Sequence, residues 1–211
     1  TLNGWDDQTG GTGTVTKAGD GTLIWSGDNS GNTANVSVTV GTLQVESLNN
    51  LASADGELNL GSGGILSILK ASANAANVDF TRQLSGSGEL LVNLGDKANE
   101  LTINDSAAGG HFSGQVTMDN GRFVLNSNAD NTLAQATLQL NANGSTQLVG
   151  NHAIGGLTMN GGQLEVEFSS VNNRPEGLLT VSTLDVVGGG NLAITTPGNL
   201  PNPIPVTGAS L

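Results

Sequence analysis

A short phrase of residues recurs along this chain: a glycine, usually a polar residue, and then apolar residues at alternate positions. Its copies begin at Gly21, Gly41, Gly56, Gly64, Gly88, Gly121, Gly162 and Gly190. A glycine turn followed by apolar residues with a period of two is typical of a short β-strand with one buried face. Because one such strand cannot bury its apolar face alone, the copies must stack on each other. The phrase therefore predicts an all-β solenoid.

The spacing of the phrases indicates how the solenoid is divided into rungs, its single coils. A β-helix rung carries two or three short strands and needs roughly 20–25 residues. The copies at Gly56 and Gly64 are too close for separate rungs, so we expect them to be two strands of one rung. On this basis the chain makes about nine rungs. Helical periodicity is nearly absent, and the Ala-rich stretch 69–78 is interpreted as a loop or a single helical turn.

Alternation also predicts which residues fill the solenoid. Val36, Val38 and Val40 alternate with Ser37 and Thr39, so the three valines are expected on one buried face. By the same reasoning one continuous interior is expected to contain Leu23, Trp25, Val38, Leu43, Val45, Leu58, Leu60, Leu90, Phe123, Leu125, Leu164, Val166 and Ile194. The apolar-rich residues 138–194 are expected to be more stable than the Gly-rich start.

Composition and charge exclude several classes of protein. Glycine contributes 32 of 211 residues without a Gly-X-Y period, which excludes collagen. Eighteen acidic residues against six basic ones give a net charge of −12. The basic residues form no stripe, so we expect no nucleic-acid binding and no attraction to an anionic membrane surface. No cysteine is present, so no disulfide contributes to stability.

The two ends of the chain differ from its middle. The chain begins Thr1-Leu2-Asn3 without Met or a signal peptide, and we expect it to be a piece of a larger secreted protein. Four of the five prolines fall at 197, 201, 203 and 205. Because proline cannot donate to a central ladder, regular stacking is expected to end near there. The predicted division is a β-helix over residues 1–196 and a Pro-rich connector, or the start of a junction module, over 197–211.

Residues 13–45 carry a more specific pattern, which resembles the autotransporter-associated β-strand repeat. The positions that match it are Thr16, Lys17, Gly19, Gly21, Thr22, Leu23, Ser26, Gly27, Asn29, Val38, Gly41, Thr42, Leu43 and Val45. Looser copies span Gly86 to Leu125 and Ile154 to Leu164, whereas residues 46–85 keep only the strand rhythm.

The resemblance implies a passenger domain of a bacterial type V secretion (autotransporter) protein, similar to the AIDA-like adhesin group. It implies a right-handed parallel β-helix that a C-terminal outer-membrane barrel, outside this chain, displays at the cell surface. The expected location is therefore secreted or on the extracellular face of the outer membrane. The expected partners are a host surface or identical passengers on neighbouring cells, in adhesion and virulence.

Residues that could support catalysis are few. A nucleophilic triad needs histidine beside Ser or Cys and an acid. Only His111 and His152 are available, both in Gly- or Asn-rich stretches interpreted as loops, and no Gly-x-Ser-x-Gly elbow is present. For carbohydrate stacking the only tryptophans are Trp5 and Trp25, and Trp25 occupies an inward position that favours core packing. No catalytic or cofactor-binding residue is therefore predicted.

Oxygen-rich turns raise the question of calcium. Possible ligands lie at Asp6-Asp7, Asp28-Asn29, and Asp55 with Glu57. The Gly-Gly-x-Gly-x-Asp array of calcium solenoids is absent, so these acids are interpreted as solvated and no metal site is predicted. The N-glycosylation pattern occurs at Asn35, Asn104 and Asn143, as expected by chance in an Asn/Ser-rich chain.

Three functions remain open from the sequence. The first is a non-enzymatic adhesin segment acting in cell adhesion or self-association, as in aggregation and biofilm. The second is an export and folding (autochaperone-like) stalk that holds an N-terminal effector away from the membrane. The third is a polysaccharide-acting β-helix enzyme, which the scarcity of aromatic and clustered ionisable residues disfavours.

Overall fold

A computed structural model describes residues 2–3, 13–27, 29, 34–46, 50–51, 56–69, 78–80, 83–103, 112–125, 133–149, 152–167, 169–171, 174–176 and 179–195. The strands are β1 (Leu2–Asn3), β2 (Thr14–Lys17), β3 (Thr22–Ser26), β4 (Asn35–Val45), β5 (Glu57–Leu69), β6 (Val78–Phe80), β7 (Gln83–Gly86), β8 (Glu89–Asn93), β9 (Glu100–Ile103), β10 (Gln115–Leu125), β11 (Thr137–Val149), β12 (His152–Ile154), β13 (Gly156–Asn160), β14 (Gln163–Glu167), β15 (Ser169–Val171), β16 (Arg174–Glu176), β17 (Leu179–Val181), β18 (Leu184–Val186) and β19 (Asn191–Thr195). Within these ranges no helix is long and apolar enough to cross a membrane.

Three parallel ladders form the faces of the solenoid. The first face contains β2, β7 and the first parts of β4 and β5. The second face runs through β1-β3-β4-β5-β8-β10-β11-β13-β18. The third face contains β6, β9, β14, β19 and the second parts of β10 and β11. Among the described strands, only β15 and β16 pair in antiparallel fashion.

The long strands bend from one face to the next. In β4 the register shifts between Val38 and Val40, and in β10 it shifts between Met118 and Asn120. Each bend is followed by a glycine with positive φ, Gly41 at 75° and Gly121 at 112°. Val40, predicted to be buried with Val36 and Val38, is instead 39% exposed because it lies at the bend.

The predicted all-β solenoid with parallel strands is confirmed, but nine rungs are not. About five rungs are complete. The described strands at the N-terminal end, β1 to β4, have no described counterpart on the third face. The strand residues that follow Gly56 and Gly64 do share one rung, because both sets lie on β5. The predicted connector, 197–211, and residues 70–77 of the predicted loop lie outside the described residues.

Apolar side chains stack in columns through the interior. On the second face the register joins Leu23, Leu43, Leu66, Leu90, Val116, Leu138, Leu157 and Leu184. Successive members are 19 residues apart (Leu138 to Leu157) to 27 apart (Leu157 to Leu184), which conceals the repeat in the sequence. The predicted interior residues that are buried are Trp25, Val38, Leu43, Val45, Leu58, Leu60, Leu90, Phe123, Leu125 and Leu164. Leu23 is partly buried against this core, and the side chains of Val166 and Ile194 are not described.

Candidate functional site

A groove of about 450 Å³ runs along the corner between the first and second faces. Residues 62–65, 87–89 and 113–115 line it, one set from each of three successive rungs, and Thr137 of the next rung closes one end. Ser62, Ser87 and Ser113 are all exposed along it. The corner therefore combines a concave shape with hydroxyl groups from three successive rungs.

Four glycines line this groove, and a side chain would not fit at three of them, Gly64, Gly88 and Gly114, whereas an added Cβ at Gly63 would make only ordinary contacts. An added Cβ at Gly64 would collide with the carbonyl oxygen of Val38, and one at Gly88 with that of Gly64. At Gly114 it would collide with the carbonyl oxygen of Gly88. The close approach of successive rungs at this corner thus requires glycine, and it leaves the groove without side chains on its floor.

The backbone amides of the floor are already engaged. The Gly88 amide donates to the Leu60 carbonyl at 2.9 Å, and the Gln115 amide donates to the Gly88 carbonyl at 3.0 Å. The Thr137 amide donates to the Gly114 carbonyl at 3.0 Å. These backbone amide protons are therefore not available to a ligand. The groove presents backbone carbonyls, serine and threonine hydroxyls, the side-chain amide of Gln115 and the carboxylate of Glu89.

Beside the groove, hydrogen-bonded side chains form a chain across the outer side of the second face. We call Glu89, Gln115, Thr117, Asp119, Gln139, Asn141 and Asn160 the second-face ladder. The Thr117 hydroxyl donates to Glu89 Oε1 at 2.7 Å. Gln115 Nε2 donates to Thr117 Oγ1 at 2.8 Å and to Gln139 Oε1 at 3.3 Å.

The second-face ladder continues to the next rungs through amide groups. Gln139 Nε2 donates to Asn141 Oδ1 at 3.1 Å, and Asn141 Nδ2 donates to Asp119 Oδ1 at 2.5 Å. Asn160 Nδ2 also donates to Asn141 Oδ1, at 3.1 Å. The ladder therefore orders polar side chains from β8 to β13 on a surface that would otherwise be mobile.

The first face carries a shorter set of the same kind. The Glu57 amide donates to Asn35 Oδ1 at 2.8 Å, from one rung to its neighbour. The Ser85 hydroxyl donates to the Glu57 carboxylate, and Asn59 Nδ2 donates to Ser85 Oγ at 2.8 Å. Ordered polar contacts between rungs therefore occur on both sides of the groove.

An ion-pair cluster lies on the third face. Arg122 Nη1 is 2.8 Å from Glu100 Oε1, and Arg122 Nη2 is 2.8 Å from Glu165 Oε2. Glu100 precedes Arg122 by one rung, and Glu165 lies two rungs beyond it. All three side chains are about a quarter exposed, so the cluster links rungs on the surface.

The structure shows where two of the residues considered for catalysis or carbohydrate stacking lie. His152 does not lie in a loop: it begins β12, which pairs with β17, and it is 4% exposed because it occupies an inward position of that strand. Trp25 is buried as predicted. His111 and Trp5 lie outside the described residues. Within the described part of the chain, no three His, Cys, Asp or Glu side chains are grouped as metal ligands.

The oxygen-rich turns are only partly described. Asp6, Asp7, Asp28 and Asp55 lie outside the described residues, as does Asn104. Asn29 is buried, and its Nδ2 donates to the Asn50 carbonyl at 2.7 Å, so it supports a turn. Glu57 and Asn35 are engaged between rungs, and Asn143 is exposed in β11.

Sequence reasoning missed the groove, the second-face ladder and Lys17. Lys17 is 8% exposed and occupies an inward position, and its Nζ donates to the carbonyls of Gly19 at 2.6 Å, Val40 at 2.9 Å and Ala18 at 3.3 Å. Only the Thr-Lys-x-Gly-x-Gly order gave a signal for it. Outward polar residues on different rungs carry no local signal, because their pairing depends on register.

Comparison with known proteins gives little further information. No family model matches the chain, and no solved structure matches it. The chain is 31% identical over 137 residues to a protein of Escherichia coli K12 that is named "Uncharacterized lipoprotein YdeK". This match covers 64% of the chain and 10% of that protein, so the chain spans about a tenth of its relative's length.

Proposed function

We propose that this segment belongs to a bacterial surface protein and acts without catalysis, in cell adhesion or self-association. The second-face ladder is the observation that carries the proposal. Its side chains are already ordered by hydrogen bonds, so a partner that contacts them need not pay the full cost of ordering them. Because polar contacts repeat along the solenoid, many weak contacts between two molecules add up by avidity.

The finer features of the proposal are those of a type V passenger domain. They are a right-handed β-helix of about nine rungs, an outer-membrane barrel elsewhere in the polypeptide, and a place on the extracellular side. The motif over residues 13–45 supports this assignment. The word lipoprotein in the name of the relative is consistent with a location at a membrane or cell surface.

Charge placed on the second face tests the proposal. Ser67 and Thr158 point outward on that face, and Gln163 and Asn191 lie on the third face. Cells displaying the whole surface protein would carry Ser67→Glu with Thr158→Glu, or the control Gln163→Glu with Asn191→Glu. We expect the first pair to reduce clumping at unchanged surface level, because like charges repel across a self-association interface. Equal clumping in both pairs would contradict the proposal.

A second candidate is a folding and spacing stalk. The uninterrupted apolar column supports it, because each rung provides a template on which the next can fold. Deleting one whole rung, such as residues 90–115, separates the two functions. Reduced surface level would favour the stalk, whereas reduced clumping at normal surface level would favour adhesion.

We also propose that the segment hydrolyses no polysaccharide. Among the residues that line the groove, the ionisable one is Glu89, and the second-face ladder beside it contains no histidine. Incubation of the chain with neutral and acidic polysaccharides is expected to release no reducing ends. Release that a single Glu89→Gln change abolishes would assign an enzyme instead.

A further inference from the structure

We propose that the corner groove binds a neutral, hydroxyl-rich glycan that lies along the axis of the solenoid. This inference goes beyond adhesion through the second face, because it assigns a ligand to the groove, which shares only Glu89 and Gln115 with the second-face ladder, and does not depend on contact between identical molecules. It is carried by the shape of the groove, by the groups that line it and by the charge of the chain.

The shape suits a short linear polymer. A volume of about 450 Å³ lies in the range of small-molecule sites. Four rungs contribute to the groove, and neighbouring strands are about 4.8 Å apart, so its length is about 14 Å. Side chains at Gly64, Gly88 and Gly114 would clash with the preceding rung, so at these three positions the fold itself keeps the groove free of side chains.

The groups that line the groove favour a ligand that donates hydrogen bonds. The floor amides of Gly88, Gln115 and Thr137 are engaged, and the carbonyls of Gly88 and Gly114 each already accept one of those bonds. The groups that remain for a ligand are therefore the serine hydroxyls, the Glu89 carboxylate and the second lone pairs of the carbonyls. The Glu89 carboxylate adds further acceptor capacity, and the serine hydroxyls can both donate and accept. Sugar hydroxyl groups match this combination.

Other ligand classes fit less well. An extended peptide would need free amides and carbonyls in alternation to add as a strand, and the floor offers no free amides at the positions described. An anionic glycan would meet Glu89 and a chain of net charge −12. A largely apolar ligand would find no aromatic or large aliphatic surface except Ile65 among the lining residues. A neutral glycan avoids all three conflicts.

A titration followed by nuclear magnetic resonance tests the assignment. The labelled 211-residue chain would be mixed separately with maltohexaose, cellohexaose, mannohexaose and the acidic hexagalacturonate. We expect at least one neutral hexasaccharide to shift the amide signals of Gly64, Gly88 and Gly114, with a dissociation constant on the order of a millimolar. Absence of shifts with all three neutral sugars, or equal shifts with hexagalacturonate, would overturn the proposal.

Two matched pairs of variants locate the site. Ser87→Trp fills the groove and is expected to abolish the shifts, whereas Ser182→Trp, exposed on another rung, is expected to preserve them. Glu89→Gln is expected to weaken binding by about three- to tenfold, and the exposed Glu46→Gln is expected to leave it unchanged. Binding that survives both Ser87→Trp and Glu89→Gln would contradict the groove as the site.

The same variants separate this proposal from self-association. Cells displaying Ser87→Trp are expected to clump normally, since the groove is not needed for contact through the second face. The Ser67→Glu with Thr158→Glu chain is expected to bind the neutral sugar normally. If the unsubstituted chain binds none of the neutral sugars while its cells clump normally, the glycan site is overturned and adhesion is left intact.

Discussion

Lys17 points into the solenoid from β2, in register with Val38 of β4. Its ammonium group donates to three backbone carbonyls, one of them from the next rung. Gly41 makes this reach possible, because an added Cβ there would lie 2.7 Å from Lys17 Nζ. The lysine of one phrase is thus matched to the glycine of the next, which explains why both occur in the motif.

Lys17→Met is expected to lower the free energy of unfolding of the N-terminal rungs by about 1–3 kcal/mol, because three carbonyls lose a charged donor at a largely buried site. Urea unfolding with hydrogen exchange at Val40 and Thr42 would measure it. Lys97→Met is the control, since Lys97 is exposed. Equal effects of the two changes would contradict the structural role of Lys17.

At Thr146, unlike Lys17, removal of the polar group is expected to raise stability. Its hydroxyl is fully buried between Phe123 and Leu164 and has no hydrogen-bond partner among the described residues. Thr146→Val keeps the shape and removes an unpaired polar group, so it is expected to raise stability by about 1 kcal/mol. Thr158→Val, on the outer side, is the control for strand propensity. A thermal melt that shows destabilisation by Thr146→Val would disprove this account of the core.

At the scale of the strands, the corners are the least predictable part of the fold. Alternation in the sequence correctly predicted strands at β3, β8 and β14, and in β8 it marks the residues that are buried against the core. It could not predict that β4 and β10 each pass through a bend, because a register shift reverses which residues face inward. For this reason the alternation wrongly predicted that Val40 is buried.

The corners also define which glycines are essential. Gly114→Ala is expected to destabilise the chain by about 1–3 kcal/mol, because the new methyl group would collide with the backbone of the preceding rung. Gly21→Ala is the matched control, since an added Cβ there meets nothing within 4 Å. Chemical denaturation of both variants would test the difference, and a neutral Gly114→Ala would refute the close approach of the rungs.

At the scale of the whole molecule, stability is expected to be highest in the middle rungs. On the second face, β5, β8, β10 and β11 each pair with a strand on both sides, whereas Leu184, Val187 and Leu192 near the C-terminal end of the described part are 54%, 70% and 60% exposed. The sequence expectation that residues 138–194 outlast the Gly-rich start, residues 1–21, stays a prediction, and the exposed side chains at 184, 187 and 192 give it less support because apolar residues stabilise only where they are covered. Hydrogen exchange should show protection that falls toward both ends; maximal protection at β18 and β19 would contradict this.

The fold class was predictable and the site was not, for one physical reason. Burial imposes a period of two that each strand carries by itself, so Leu43 or Leu90 can be assigned locally. Between rungs, the second-face ladder joins residues 19–28 positions apart, as from Glu89 to Thr117, and rung lengths vary. Only the three-dimensional register brings those residues together.

The parallel ladders have a mechanical consequence. Their hydrogen bonds lie roughly along the axis of the solenoid, so tension between its two ends loads one rung interface after another rather than all at once. A rung of the second-face column, such as the 23 residues from Leu43 to Leu66, would extend by up to about 80 Å when it peels away. A pulled molecule would therefore lengthen in steps and dissipate work as its rungs peel away one after another.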